Sequence, residues 1–251
     1  MDSLQTRWER LSPHAVITGP DDDKPRPAAL LFHGCGGVQA HMDLYSQAAT
    51  KAGWRAIVVD SFAPRGWSRA YGLSFVCTGL TLWGFERAGD VLATIHGMSQ
   101  RADVDSSSLV LAGWSHGGWA IMDLMTMPLA SPKEARIEGA HPGLMDGVKG
   151  LYLNYPYVGF GTRGARRDWR YRPAVQGVIA RTDHLGAPAL HEAAYARARA
   201  AGCAVEAITV DGTHAFDQPQ EMLLNISPMR RDEALTQENL TRFEGFLRAT
   251  A

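Results

Sequence analysis

Residues 113–117, Gly-Trp-Ser-His-Gly, are the part of this sequence whose types and spacing point most directly to chemistry. They follow the apolar run 109–112, which predicts a strand, and they precede a helix-like segment. A serine on a sharp turn between a strand and a helix is presented as a nucleophile, and the residues two before and two after it must be small. Gly113 and Gly117 meet that requirement. We therefore predict that Ser115 is a nucleophile.

A serine hydroxyl needs a histidine to take its proton and a carboxylate to hold that histidine in the correct tautomer. Asp183 follows an apolar run at 174–180, and His214 follows the next predicted strand, at 204–210. The carboxyl ends of parallel strands meet at one edge of a sheet. We therefore predict a Ser115, His214 and Asp183 triad, in which His214 acts first as base and then as acid.

Other residues near these positions compete for the same roles. His184 adjoins the proposed acid and is expected to face elsewhere, while His116 lies inside the turn, where its backbone N–H matters more than its ring. Asp211 and Asp217 are close to His214 in sequence, but neither follows the strand at 174–180, where the acid is expected.

Acyl transfer also needs N–H donors for the oxygen that becomes negative in the transition state. The backbone N–H of His116, at the positive end of the following helix, is one expected donor. The other is expected in the glycine-rich loop 34–37 after the apolar strand 30–33, with Cys35 as first choice and Gly36 as second. This loop lacks the spacing of a phosphate-binding loop.

Four motifs follow one another along the chain, at residues 33–37, 59–66, 113–118 and 212–214. Together they resemble the dienelactone hydrolase family of α/β-hydrolases, and the resemblance spans roughly Ala28 to Phe216. The resemblance implies an α/β-hydrolase fold and a hydrolase of small esters or lactones that needs no cofactor. The enzyme that names the family uses a cysteine nucleophile, whereas this sequence carries Ser115. A general esterase or lactonase is therefore expected, rather than an enzyme for dienelactone itself.

The order of the predicted elements indicates an α/β protein. Strands separated mostly by helix-length segments predict a mainly parallel sheet with helices on both faces. The strands are expected at 30–33, 56–60, 109–112, 150–154, 175–180 and 205–210. An additional amino-terminal strand precedes the polar loop 20–27. The last helix carries an apolar stripe of Leu240, Phe243, Phe246 and Leu247, which predicts core packing.

The composition fits one domain over residues 1–251, because 45% of the residues are hydrophobic and the chain is long enough to bury a large core. A net charge of −1 disfavours nucleic-acid and anionic-membrane partners. No signal peptide or membrane span is recognised, so a cytoplasmic location is expected. The expected oligomeric state is a monomer or a homodimer. No histidine or cysteine spacing indicates a metal. The arginines clustered at 163–172 are expected to form a solvated loop.

Two connections are longer than the fold requires, at 61–84 and 155–172, and are expected to select the substrate. Arg65 and Arg69 could bind a substrate carboxylate, although an arginine that ties down its own loop is the stronger expectation for Arg65. Trp83 and Trp114 are expected to wall an apolar pocket, whereas Trp119 is expected only to pack against the sheet.

Cys35 and Cys77 lie in loops that should meet near the active-site mouth. We expect three free thiols under reducing conditions, with these two cysteines able to pair on oxidation. A distance of more than about 7 Å between their Cα atoms would exclude a disulfide between them.

Two other functions remain compatible with the sequence. One is a catalytically silent protein that keeps the fold and binds a small molecule. The other is a small-peptide or amide hydrolase, although the chain lacks the long cap that restricts access in such enzymes. Turnover of a p-nitrophenyl ester that is lost in Ser115→Ala discriminates the first from an esterase.

Overall fold

The computed structural model describes residues 1–219 and 228–250. Within these ranges the strands are β1 (Asp2–Ser3), β2 (Ala15–Thr18), β3 (Arg26–Phe32), β4 (Arg55–Val59), β5 (Val104–Trp114), β6 (Ile137–Glu138), β7 (Val148–Asn154), β8 (Ala174–Thr182) and β9 (Val205–Thr213). The helices are α1 (Leu4–Leu11), α2 (His41–Lys51), α3 (Arg69–Tyr71), α4 (Gly84–Ser99), α5 (His116–Met125), α6 (Pro188–Ala200) and α7 (Glu233–Thr250).

Seven strands form the central sheet in the order β2-β4-β3-β5-β7-β8-β9. Only β2 runs antiparallel to its neighbour, while β4, β3, β5, β7, β8 and β9 pair in parallel. β1 and β6 form a separate two-stranded pair. The predicted strands are confirmed, as is the mainly parallel sheet. β5 begins earlier than predicted, because the pairing of Val104 with Arg26 extends the strand through the polar residues 105–108.

Helices cover both faces of the sheet. Successive side chains of a strand point to opposite faces, so each strand contributes to a core on either side. Leu30 and Phe32 of β3 belong to a core that also includes residues of α4, α5 and α6. Ala29 and Leu31 belong to a second core that includes residues of α2 and α7. The predicted stripe of α7 lies in this second core, where Phe243 is fully buried. Helices on both faces are therefore confirmed.

The two long connections follow β4 and β7, and the first of them carries short helical turns. The first contains α3 and then a single π-helical turn at Gly72–Val76. The second connection holds four exposed arginines (Arg166, Arg167, Arg170 and Arg172), as expected for a solvated loop. Arg163 differs, because its guanidinium lies 3.8 Å from the centre of the Phe85 ring.

Candidate active site

Ser115 occupies the turn between β5 and α5, with φ of 49° and ψ of −109°. A positive φ is costly for a residue with a side chain and is found where a structure holds a functional group in place. The turn closes only because its neighbours are glycines. A Cβ on Gly117 would lie 2.0 Å from the carbonyl oxygen of Phe32, and a Cβ on Gly113 would lie 2.6 Å from the Gly118 nitrogen.

The structure brings the three predicted triad residues together. His214 Nε2 lies 2.8 Å from Ser115 Oγ, and His214 Nδ1 lies 2.7 Å from Asp183 Oδ2. All three residues are buried, at 3–8% exposure. A carboxylate can only accept, so Nδ1–H donates to Asp183 and Nε2 is left to accept the serine proton. The tautomer is the one that a general base requires.

Asp183 is placed by the end of β8, next to the end of β9 that carries His214. Its second oxygen, Oδ1, accepts the Leu185 N–H at 2.8 Å. Burial raises the pKa of Asp183, but the hydrogen bond and charge of His214 and the Leu185 N–H outweigh burial, so its pKa is lowered. Asp183 is therefore an anion at neutral pH and accepts the Nδ1–H of His214.

The competing carboxylates do not face His214. The Asp211 side chain is 84% exposed and pairs with Arg181. Asp217 is fully buried, and its Oδ2 accepts hydrogen bonds from Tyr45 and Asn154, both at 2.8 Å.

The competing histidines differ from one another. The His184 ring lies 5.9 Å from the His214 ring and lines the cavity above Ser115, so the expectation that it faces elsewhere is wrong. His184 is exposed, and it reaches the cavity mouth because it follows the end of β8, next to the end of β9 that carries His214. His116 has a buried ring whose Nε2 lies 2.7 Å from the Leu82 carbonyl oxygen.

The predicted oxyanion donors lie around the nucleophile. His116 is the first residue of α5, so its N–H points out of the positive end of that helix. Cys35 and Gly36 line the same cavity as Ser115. A Cβ built on Gly34 would lie 3.5 Å from Ser115 Cβ, which puts the backbone of this loop in contact with the nucleophile.

A buried arginine beneath this loop was not found by sequence reasoning. Arg87 is fully buried and donates through Nη1 to the His33 carbonyl oxygen at 2.7 Å, and its Nη1 also lies 3.1 Å from His116 Nδ1. Its Nε donates to Ser61 Oγ. One guanidinium thus connects the strand end before the oxyanion loop with the residue after the nucleophile. The available signal was a charged residue on the apolar, buried face of α4.

Two cavities meet at Ser115. The first has a volume of about 220 Å³ and is lined by His184 and His214, with Arg69 and Arg231 also on its wall. The second has a volume of about 180 Å³, and four aromatic side chains are among its lining residues. These side chains are Trp83, Trp119, Tyr157 and Phe160.

Two of the four predicted substrate-binding residues line a cavity at Ser115. Arg69 lines the first cavity and Trp83 the second. Trp119 also lines the second cavity, so the expectation that it only packs against the sheet is incomplete.

Trp114 does not wall a pocket, and that prediction is wrong. Its side chain is fully buried, and its Nε1–H donates to Asp217 at 3.1 Å. Trp114 directly precedes Ser115, and alternation along β5 directs its ring into the core beside Tyr45, with the ring centres 4.7 Å apart.

Arg65 does not reach either cavity, so the suggestion that it binds substrate is wrong. Its guanidinium makes two hydrogen bonds of 2.9 Å to Asp90 and also donates to the Ser61 carbonyl oxygen. The arginine ties down its own loop, because the buried Asp90 carboxylate requires cationic partners.

Cys35 and Cys77 are joined by a disulfide, with Cα atoms 5.3 Å apart. The distance is therefore within the limit of about 7 Å for a bond between these two cysteines. The bond joins the oxyanion loop to the end of the π-helical turn at Gly72–Val76, and both cysteines line both cavities. Cys203 is a buried free thiol.

No group of three or more histidine, cysteine, aspartate or glutamate side chains within residues 1–219 and 228–250 could hold a metal ion. In the same ranges no helix combines the length and apolarity needed to cross a bilayer.

No protein-family model matches the chain, and no curated protein matches its sequence. Solved structures do match it. Thermogutta terrifontis esterase 2 phosphoramylated by tabun is 16% identical, over 93% of this chain and 88% of that one, with a TM-score of 0.67. A dienelactone hydrolase-like promiscuous phosphotriesterase from metagenomic libraries is 12% identical, over 94% and 92%, with a TM-score of 0.66. Est1E from Butyrivibrio proteoclasticus with ferulic acid bound is 13% identical, over 94% of each chain, with a TM-score of 0.63. At these identities the likeness concerns the architecture, and the chain has the α/β-hydrolase fold.

Proposed function

We propose that this protein is a serine hydrolase, similar to the dienelactone hydrolase family, that cleaves small carboxylic esters or lactones through an acyl-enzyme. The observation that carries the proposal is the continuous hydrogen-bonded chain from Asp183 through His214 to Ser115, on a strained turn that opens into a cavity. A structural hydrogen-bond network would not need its serine in a costly backbone conformation beside a cavity.

The reaction follows from the tautomer of His214. Nε2 accepts the Ser115 proton while Oγ attacks the carbonyl carbon, and the imidazolium then gives that proton to the leaving oxygen. Asp183 orients His214 and stabilises its charge. Water then attacks the acyl-enzyme with His214 as base, which releases the acid and regenerates Ser115.

The oxyanion of each tetrahedral intermediate would be held by the N–H groups of His116 and Cys35, with Gly36 as the alternative donor. Each such donor is worth about 3–4 kcal/mol of transition-state stabilisation. Arg87 would keep the two sides of this site aligned, because it contacts both His33 and His116.

The remaining expectations complete the proposal. Residues 1–251 would act as one domain, because the sheet takes strands from Ala15 to Thr213 and the last helix packs against it. The partner would be a small-molecule ester or lactone, with no cofactor. The protein would be a cytoplasmic monomer or homodimer.

The test is hydrolysis of p-nitrophenyl acetate, together with labelling by a fluorophosphonate. Ser115→Ala should lower kcat on the order of 10⁴-fold or more. Peptide mass mapping should find the label on Ser115, and His214→Ala should greatly slow labelling. Ser107→Ala, at the exposed beginning of the same strand, is the matched control. Modification of a different serine, or full activity in Ser115→Ala, would contradict the assignment.

A further inference from the structure

The two cavities at Ser115 differ in their relation to the catalytic histidine. His214 lines the first cavity, and it is not among the described residues that line the second. His116, which carries a proposed oxyanion donor, lines the second cavity. Leu185 and the Cys35–Cys77 disulfide line both cavities and therefore mark the boundary between them.

The chemistry of acyl transfer gives each cavity a separate role. The carbon of the tetrahedral intermediate carries Ser115 Oγ, the oxyanion, the leaving oxygen and the acyl substituent. The leaving oxygen must lie within hydrogen-bond reach of His214 Nε2 to receive its proton. The alcohol portion would therefore enter the first cavity. The acyl substituent would point away from His214, towards the second.

The walls of the second cavity define the acyl group that fits there. The Trp119 ring lies 6.2 Å from the Trp83 ring and 5.2 Å from the Tyr157 ring, measured between ring centres. Phe160 lies 6.2 Å from Trp83 and is 79% exposed, so an apolar ring extends the wall to the cavity mouth. Aromatic side chains on the wall favour an aromatic ligand, because they can contact its ring in offset or edge-to-face arrangements.

One buried carboxylate holds this wall in place. Asp123 accepts the Trp119 Nε1–H at 3.0 Å, and it also accepts the backbone N–H groups of Arg163 at 2.6 Å and Gly164 at 2.8 Å. The same carboxylate therefore fixes a ring of α5 and the connection that carries Tyr157 and Phe160. A wall fixed before binding loses little conformational freedom when a ligand enters.

We propose that the second cavity is the acyl site and that it selects esters of aromatic carboxylic acids, with the alcohol portion in the first cavity. This inference rests on the proposed function. Ser115 Oγ bonds to the carbonyl carbon of the aromatic acid, the bond to the alkoxy oxygen breaks, and the alcohol leaves with the proton from His214. Water then attacks the aroyl-enzyme, the bond to Oγ breaks, and the aromatic carboxylate is released.

The kinetic test compares p-nitrophenyl benzoate with p-nitrophenyl acetate, which share a leaving group. Trp83→Leu and Phe160→Ser change the second cavity, while Leu73→Ala is the matched change in the first. The two second-cavity variants should lower kcat/KM for the benzoate at least tenfold and for the acetate less than threefold. Leu73→Ala should not discriminate between them. Equal losses for both esters, or a benzoate-specific loss only in Leu73→Ala, would overturn the proposal.

Hydrolysis of the benzoyl-enzyme isolates the acyl site, because the alcohol has already left. In single-turnover experiments, Trp83→Leu should change the rate of benzoyl-enzyme hydrolysis at least fivefold and Leu73→Ala should leave it unchanged. The reverse pattern would assign the acyl group to the first cavity.

Binding separates this inference from the proposed catalysis. Benzoate should bind Ser115→Ala. Adding Trp83→Leu to that variant should raise the Kd of benzoate at least tenfold, as measured by calorimetry. If no ester is turned over yet this difference is found, the proposed function fails and the aromatic site stands. If esters are turned over yet Trp83→Leu leaves benzoate binding unchanged, the acyl-site inference fails alone.

Discussion

The guanidinium of Arg65 faces the carboxylate of Asp90 through two hydrogen bonds of 2.9 Å. Asp90 is completely buried in α4, and Arg7 donates to it from α1 at 2.7 Å. Two arginines from distant parts of the chain thus converge on one buried carboxylate. The pair anchors the connection after β4, which also carries Arg69 and part of the lining of both cavities.

Arg65→Met should therefore lower stability without changing substrate preference. Because Arg7 remains to pair with Asp90, we expect a loss of about 1–3 kcal/mol in the free energy of unfolding. The Michaelis constant should change equally for neutral esters and for esters whose alcohol portion carries a carboxylate. Arg69→Met is the comparison, because Arg69 lines the first cavity. It should raise KM for the carboxylate-bearing esters at least tenfold and leave neutral esters almost unaffected. A selective KM effect in Arg65→Met would contradict this assignment.

Asp183→Asn should reduce kcat by about 10³–10⁴-fold with little change in KM. An amide at this position donates to His214 Nδ1, so the proton moves to Nε2, which can then no longer accept from Ser115. The measurement is steady-state hydrolysis of p-nitrophenyl acetate. Asp211→Asn is the matched control, since its exposed carboxylate lies near His214 in sequence and faces solvent. Its kcat should stay within about twofold of the wild-type value, and a comparable loss in both variants would remove Asp183 from its role.

Stability should fall as the pH is lowered from about 6.5. Burial, followed by the Arg87 charge, lowers the pKa of His33 to about 4 and holds the pKa of His116 well below its usual value. An unfolded chain has histidine pKa values near 6.5, so the unfolded state binds more protons between these limits. The resulting stability is complete above about pH 6.5 and is lost towards pH 4. Between pH 6.5 and 5 the two histidines should cost about 2–4 kcal/mol.

Urea unfolding at several pH values measures this slope. His33→Gln should flatten it, because that variant no longer carries a buried imidazole whose Nε2 must accept the Ser61 N–H. His14→Gln replaces an exposed histidine and should leave the slope unchanged. Stability that does not vary between pH 7 and 5, or equal slopes in the two variants, would show that His33 does not titrate in this way.

Thiol titration should reflect the Cys35–Cys77 bond. After purification without reductant, the denatured protein should show one reactive thiol, from Cys203, and three after reduction. Reduction should lower the free energy of unfolding by about 2–4 kcal/mol, because the bond closes a long loop in the unfolded chain. Cys203→Ser should remove the single thiol and leave the effect of reduction intact. Three thiols before reduction would show that the two cysteines do not pair in the purified protein.

The sequence by itself determined the sheet and the placement of the three proposed catalytic residues. Apolar runs fix the strands, and small residues around Ser115 are needed wherever a strand turns sharply into a helix. Asp183 and His214 follow from the strands that precede them, because parallel strands present their carboxyl ends at one edge. All of these are local patterns, and each can be recognised within about ten residues.

Only the tertiary structure decided which side chains line the site. Arg65 and Arg69 lie in one connection, yet Arg65 pairs with Asp90 and Arg69 lines a cavity. Trp83 and Trp114 likewise separate, since Trp114 points into the core. The Cys35–Cys77 bond, which lines both cavities, joins positions separated by 42 residues. Side-chain direction and contacts between distant segments decide these outcomes, and neither follows from the order of residues along the chain.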